Sequence, residues 1–100
     1  MPSDSEKRKA DRKNLFSEVT LEFATGKYQA RISDLSLGGC YVDSIASVTE
    51  GDAITVTLKD PSGEPKSFSG EVAYNLPGMG FGVKFTDLTP SQYLFLQQLL

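Results

Sequence analysis

Between residues 15 and 85, short runs of alternating apolar and polar residues follow one another, separated by turns that contain glycine or proline. A period of two is typical of β-strands that bury one face. The alternation is clearest where Ile54, Val56 and Leu58 are interleaved with threonine. The pattern therefore predicts a sheet whose successive strands are joined by short turns.

Six strands are predicted from this pattern. They cover residues 15–23, 28–34, 40–42, 54–59, 67–74 and 80–85, with Gly70 interrupting the fifth strand. Turns are predicted at residues 25–27, 35–39, 60–63 and 75–78, where glycine or proline supplies the backbone angles that a turn needs.

The final segment changes period and predicts a short helix. Thr89 suits the N-cap, Pro90 suits the first helical position, and Gln92 completes a capping box with Thr89. The predicted apolar face consists of Tyr93, Leu96 and Leu100, with Leu99 beside it. Six strands followed by one helix predict a mainly β fold, a closed or split barrel capped by that helix.

Charge divides the chain into two parts. Residues 1–14 carry five basic and three acidic side chains and no large apolar residue after Met1, whereas residues 15–100 carry five basic and ten acidic side chains. We predict that residues 1–14 form a flexible basic arm that is mobile without ligand, and that residues 15–100 form the barrel and helix. A basic arm favours a polyanionic partner, while an acidic body disfavours a broad nucleic-acid surface.

Composition excludes several classes of function. The 100 residues include no histidine and one cysteine, so the chain alone cannot build a multi-ligand Cys/His zinc site or a histidine-dependent nucleophile. No spacing singles out a catalytic carboxylate pair, and we expect no enzymatic activity, no cofactor and no metal. The lack of a signal peptide and of an apolar stretch of about 20 residues predicts a cytoplasmic, single-domain protein without a membrane span.

Two short motifs carry the functional signal. The arm contains an RxxxR formed by Arg8 and Arg12, and the end of the second predicted strand contains a DxSxxG formed by Asp34, Ser36 and Gly39. Each motif is weak by itself, because basic tails and serine-containing turns are common. Their combination, in this order and before a pattern of six strands, is much more specific.

The two motifs together resemble those of the PilZ domain family, and the resemblance extends over nearly the whole chain. Residues 70–74, GEVAY, look like the family's late GxVxW-type strand, and residues 80–85, GFGVKF, look like its closing strand. This resemblance implies a six-stranded antiparallel β-barrel with a C-terminal helix, and binding of the bacterial second messenger cyclic di-GMP. Tyr74 stands where many members have tryptophan, so we expect weaker stacking there.

The resemblance also implies a set of ligand-binding residues. The principal positions are Arg8, Arg12, Asp34, Ser36 and Gly39, and the additional ones are Lys7, Lys9, Gly38 and Tyr74. Their chemistry suits the ligand, because arginine matches the acceptor edge of guanine and a carboxylate matches its donor edge. Arginine, serine and backbone N–H groups can also bind phosphate oxygens.

Simpler interpretations of the same residues stay open. The basic arm alone is better explained by solubility, although the second motif reverses this preference. Asp34 and Ser36 are also explained by turn formation through bonds to nearby backbone. Tyr74 can belong to the core or to the sheet surface as well as to a ligand site. Cys40 is predicted to be a small buried hydrophobe, and Lys84 to be a solvated strand residue.

Three functions are compatible with these motifs. The first is a cyclic di-GMP receptor that signals to an unknown downstream protein when the arm orders on the ligand. The second is a PilZ-type adaptor that binds a protein partner and no nucleotide, and the intact motifs count against it. The third is a small-barrel nucleic-acid binder, which the acidic body disfavours.

Overall fold

The computed structural model describes residues 12–13, 17–59 and 62–99. Within these ranges the chain forms seven strands and one helix. The strands are β1 (Arg12–Lys13), β2 (Ser17–Phe23), β3 (Gly26–Ser36), β4 (Gly39–Asp43), β5 (Ala53–Lys59), β6 (Pro65–Leu76) and β7 (Gly80–Phe85), and the helix α1 spans Pro90–Leu99.

Six of the strands close into an antiparallel barrel. Neighbours follow the order β3-β2-β5-β6-β7-β4, and a further pairing between β3 and β4 completes the ring. The two-residue β1 lies outside this ring and pairs with the end of β3, with Arg12 opposite Ser36. The prediction of a mainly β fold with a six-stranded antiparallel barrel and a C-terminal helix is confirmed.

Several strands extend beyond their predicted limits. Residues 26–27, 35–36 and 75–76, which were predicted to be turns, belong to strands, and Gly70 lies within a continuous β6. These residues extend the strands because each pairs with a neighbouring strand, a constraint that local turn propensity does not contain. Residues 15–16 of the first predicted strand lie outside the described residues.

The barrel interior is apolar. Fifteen hydrophobic side chains are buried, and no polar or charged residue of the described ranges is buried with them. The largest of the fully buried side chains are Phe68, Phe81, Leu21, Ile32, Leu35 and Leu96. Strand residues alternate between this core and solvent, so the outer face of the sheet is available for polar and ligand-binding side chains.

Helix α1 is attached to β6 through its first turn. The predicted capping box is present: the Thr89 N–H donates to Gln92 Oε1 at 2.8 Å, and the Gln92 N–H donates to Thr89 Oγ1 at 3.2 Å. Gln92 Nε2 also donates to the carbonyl oxygen of Ser67 at 2.8 Å, which ties the helix to the barrel.

The buried face of α1 differs from the predicted one. Leu96 is fully buried and the Phe95 ring stacks on Phe68 with centroids 5.8 Å apart, but Tyr93 is 43% exposed. Phe95 and Leu96 pack against the core, which leaves Tyr93 towards solvent, while Leu100 lies outside the described residues. Among the residues described, no helical segment combines the length and apolar character that crossing a membrane requires.

The contacts of Gln92 generate a stability prediction. Replacing Gln92 with alanine removes half of the capping box and the bond to Ser67, so we expect the free energy of unfolding to fall by about 1–2 kcal/mol. The exposed Gln97 on the same helix is the matched control, and Gln97→Ala should change stability by less than about 0.5 kcal/mol. Urea titration of both variants provides the measurement, and equal effects would contradict this role for Gln92.

Candidate functional site

Two β-bulges determine which side chains face outward on one side of the barrel. The pairing of β3 with β4 shifts register between Ile32 and Asp34, and the pairing of β6 with β7 shifts between Val72 and Tyr74. Strict alternation from the buried Ile32 and Val72 would direct Asp34 and Tyr74 into the core. The extra residue in each bulge reverses the alternation, so that Tyr74 is exposed on the outer face and Asp34 is half-buried, with its Oδ1 shielded from solvent.

The two bulges place Asp34 and Tyr74 in one row across four strands. In the strand register, Asp34 is opposite Tyr41, Tyr41 is opposite Gly82, and Gly82 is opposite Tyr74. The rings of Tyr41 and Tyr74 are close to parallel, with an interplanar angle of 29° and a centroid separation of 6.3 Å. A Cβ at Gly82 would overlap the Tyr74 ring, so the missing side chain lets that ring lie against β7.

The DxSxxG loop is held by its own serine. Ser36 Oγ accepts a hydrogen bond from the Gly38 N–H at 3.2 Å and donates to the Gly39 carbonyl oxygen at 3.4 Å. A Cβ at Gly39 would overlap the carbonyl oxygen of Val83, whereas the space around Gly38 is open. Gly39 is therefore required for the approach of β4 to β7, and Gly38 offers the exposed backbone of the loop.

A shallow cleft of about 210 Å³ joins the loop to the tyrosine pair. Its lining includes Ser36, Gly38, Gly39, Tyr41, Tyr74 and Lys84. Four predicted site residues thus meet in one cleft, while Asp34 lies beside it as the register neighbour of Tyr41. Two larger cavities, of about 660 and 480 Å³, are lined by other residues and have no motif in their walls.

The basic arm meets the same region of the barrel through its backbone. Arg12 and Lys13 form β1 and pair with Ser36 and Leu35, so the second arginine of the RxxxR lies across from the serine of the DxSxxG. The remaining predicted arm contacts, Lys7, Arg8 and Lys9, lie outside the described residues.

The pKa of the single cysteine, Cys40, is raised by its burial and by the nearby charge of Asp34. Cys40 is buried, as predicted, and burial together with the negative charge of Asp34 raises the pKa of its thiol to about 12. Burial is the larger cause. Within residues 12–13, 17–59 and 62–99, no group of three or more His, Cys, Asp or Glu side chains is arranged to hold a metal ion.

Two residues of the cleft were missed by motif reasoning. Tyr41 was assigned no role, and Lys84 was predicted to be solvated, which its exposure confirms. The alternation of Gly80, Gly82 and Lys84 along β7 does indicate one common outer face, but only the register between strands shows which side chains that face meets.

Comparisons with known proteins agree with the fold. The family model described as PilZ domain matches residues 6–100. A similar solved structure is the PilZ domain of CeSA from a cellulose-synthesizing bacterium, 20% identical, with a TM-score of 0.69 over 88% of this chain and 92% of that one. Another is Borreliella burgdorferi PlzA in complex with c-di-GMP, 17% identical, with a TM-score of 0.64 over 96% of this chain and 36% of that one. No match was found among curated proteins.

The environment of Cys40 generates a pH-dependent prediction. With the folded pKa raised to about 12 from an ordinary value of 9.0, the unfolded chain ionises first, so stability is lost as pH rises from 9 towards 12. We expect wild-type protein to lose up to about 1.4 kcal/mol per pH unit more than Cys40→Ala in this range. Denaturant titration at each pH measures the difference, and parallel pH profiles for the two proteins would refute it.

Proposed function

Because the chain belongs to the PilZ domain family, we propose that it is a non-catalytic, cytoplasmic receptor for cyclic di-GMP. The observation that carries this proposal is the pairing of β1 with β3, which sets Arg12 opposite Ser36. The backbone of the second arginine of the RxxxR therefore lies beside the serine of the DxSxxG. The solved complex of PlzA with c-di-GMP, which has the same fold, supports the choice of ligand.

The arginines of the arm bind the most polar parts of the ligand in this proposal. Cyclic di-GMP has two guanines and two phosphates, and a guanidinium fork matches the O6 and N7 acceptors of a guanine. Arg8 and Arg12 also neutralise phosphate charge, which matters because residues 15–100 carry ten acidic side chains. The arm therefore supplies the net positive charge that the acidic barrel lacks.

The barrel supplies base recognition. Asp34 presents a carboxylate that pairs with the adjacent N–H donors on the Watson–Crick edge of guanine. Tyr74 is 48% exposed and offers a ring for stacking, in place of the tryptophan found in many relatives. Both side chains reach the outer face through the bulges of β3 and β6.

The DxSxxG loop contributes its main chain and its shape to the proposed site. Ser36 holds the loop through its bonds to Gly38 and Gly39, and the open space around Gly38 lets a phosphate or sugar approach the main chain. The interpretation of Ser36 as a turn residue is therefore compatible with its presence in the site. Gly39 acts in this proposal by letting β4 and β7 approach, which positions the loop.

In this proposal, the ordering of the arm on the ligand produces the signal. Lys7, Lys9 and the two arginines close on the ligand, and the surface around β1 changes shape when they do so. A downstream protein that recognises this closed surface reads the presence of ligand. The chemistry of the site needs no catalytic group, cofactor or metal.

Removal of the arm cations tests the proposal. We expect Arg8→Ala and Arg12→Ala each to weaken cyclic di-GMP binding about 10- to 100-fold in calorimetric titration, because each loses charge-assisted bonds to base or phosphate. GTP and cyclic GMP serve as ligand controls. Arg31 is the third arginine of the chain and is exposed on β3, so Arg31→Ala is the matched control and should bind nearly as wild type.

The melting temperatures complete this test. Both arginines precede the predicted barrel in the sequence, so both variants should melt within a few degrees of wild type in the absence of ligand. Wild-type affinity in the double variant Arg8→Ala/Arg12→Ala would overturn the proposed function.

A second prediction concerns the choice of base. Asp34→Ala should lose affinity for cyclic di-GMP and also most of the preference over cyclic di-AMP, because adenine lacks the paired donors that the carboxylate recognises. Asp43→Ala, which removes a carboxylate from β4, should retain the preference. If Asp34→Ala discriminates the two dinucleotides by the wild-type ratio, Asp34 does not read the base.

A further inference from the structure

Two side chains outside both motifs border the cleft, one from β4 and one from β7. We propose that Tyr41 and Lys84 complete the nucleotide site, Tyr41 by extending the aromatic surface of Tyr74 and Lys84 by pairing with a phosphate. This inference rests on the proposed function, because it concerns the same ligand. Its basis is the register of four strands and the lining of one cleft.

The two tyrosine rings lie over positions where β7 has no side chains. A Cβ at Gly80 would lie 2.7 Å from Tyr41 Oη, and a Cβ at Gly82 would overlap the Tyr74 ring. Each ring is therefore supported by bare backbone and is restricted in its motion. Ordering these rings costs little when a ligand binds, because β7 already holds them in place.

The arrangement of the rings leaves aromatic surface for a third planar group. Near-parallel rings with centroids 6.3 Å apart overlap only in part, and Tyr74 is 48% exposed. A purine is wider than one phenol ring, so a guanine that stacks on Tyr74 reaches towards Tyr41. Tyr41 is also the register neighbour of Asp34, which places the stacking surface next to the carboxylate that reads the base.

Lys84 provides a cation on the rigid part of the site. It is exposed on the outer face of β7, where its register partner on β4 is Gly39, and it lines the cleft. Its register partner on β6 is Glu71, and within the described residues the two side chains form no ion pair, so the ammonium group of Lys84 can pair with an anion. Lysine binds phosphate as a point charge, and the open backbone at Gly38 borders the same cleft.

The tyrosine part of the proposal is tested with paired substitutions. Tyr41→Leu keeps an apolar side chain but removes the ring, and we expect it to weaken cyclic di-GMP binding about tenfold in calorimetric titration. Tyr41→Phe keeps the ring and should bind within about twofold of wild type. The control is Tyr28→Leu, which removes an exposed ring that does not line the cleft and should leave affinity unchanged.

A measurement on wild-type protein avoids any effect of substitution on folding. Ring resonances of selectively labelled tyrosine should move upfield for Tyr41 and Tyr74 when cyclic di-GMP is added, because a stacked guanine shields the protons beneath it. Tyr28 and Tyr93, which are exposed elsewhere on the molecule, are internal controls and should not move. Movement of Tyr74 without Tyr41 would overturn the role of Tyr41.

The lysine part is tested through salt. Lys84→Gln should weaken binding about tenfold at low ionic strength, and its affinity should fall less steeply with added salt than that of wild type, because one screened attraction is gone. Lys59→Gln removes an exposed lysine of β5 and should preserve the wild-type salt dependence. An unchanged salt profile in Lys84→Gln would overturn the role of Lys84.

The outcomes separate this inference from the proposed function. If wild-type protein does not bind cyclic di-GMP, the proposed function fails and this inference fails with it. If wild-type protein binds, Arg12→Ala is impaired, and Tyr41→Leu and Lys84→Gln bind as wild type, only this inference is overturned.

Discussion

The outer surface of the site depends on two extra residues in the sheet, the bulges of β3 and β6. Each bulge reverses the alternation of its strand, so that Asp34 and Tyr74 leave the core side and join Tyr41 on the outer face. Without these shifts a carboxylate would enter an interior that is otherwise apolar, at a large cost in free energy. The same local irregularity therefore protects the core and builds the site.

The barrel and the arm carry opposite net charges, and the proposed function gives them different roles for this reason. The barrel is rigid because its strands close on one another, but its sequence is acidic and repels an anionic ligand. The arm carries the excess of basic side chains, and β1 brings its second arginine to the DxSxxG loop. In the proposed function, base recognition on the barrel and charge neutralisation by the arm are two halves of one site, and the ligand links them. This coupling would convert ligand binding into a change of surface.

The sequence predicts those features that short stretches of chain determine. Alternation located all six barrel strands, and the Thr89–Gln92 capping box located the start of α1. Strand ends such as residues 35–36 and 75–76 were wrong because pairing with a distant strand extends them. In α1 the prediction was wrong for Tyr93, because Phe95 packs on Phe68 in its place, and right for the buried Leu96.

The same contrast applies to the candidate site: local motifs can be found in the sequence, but neighbours on different strands cannot. The motifs predict Asp34, Ser36 and the glycines of the loop as site residues, whereas the position of Tyr41 and Lys84 beside the same cleft follows only from the register between β4 and β7. The measurement that tests the central claim most directly is amide hydrogen exchange with and without cyclic di-GMP. The account predicts slower exchange on ligand binding at residues 7–13 and 36–41, with no change in α1 and no response to GTP. Unchanged exchange at residues 7–13 under saturating cyclic di-GMP would contradict a site shared by arm and barrel.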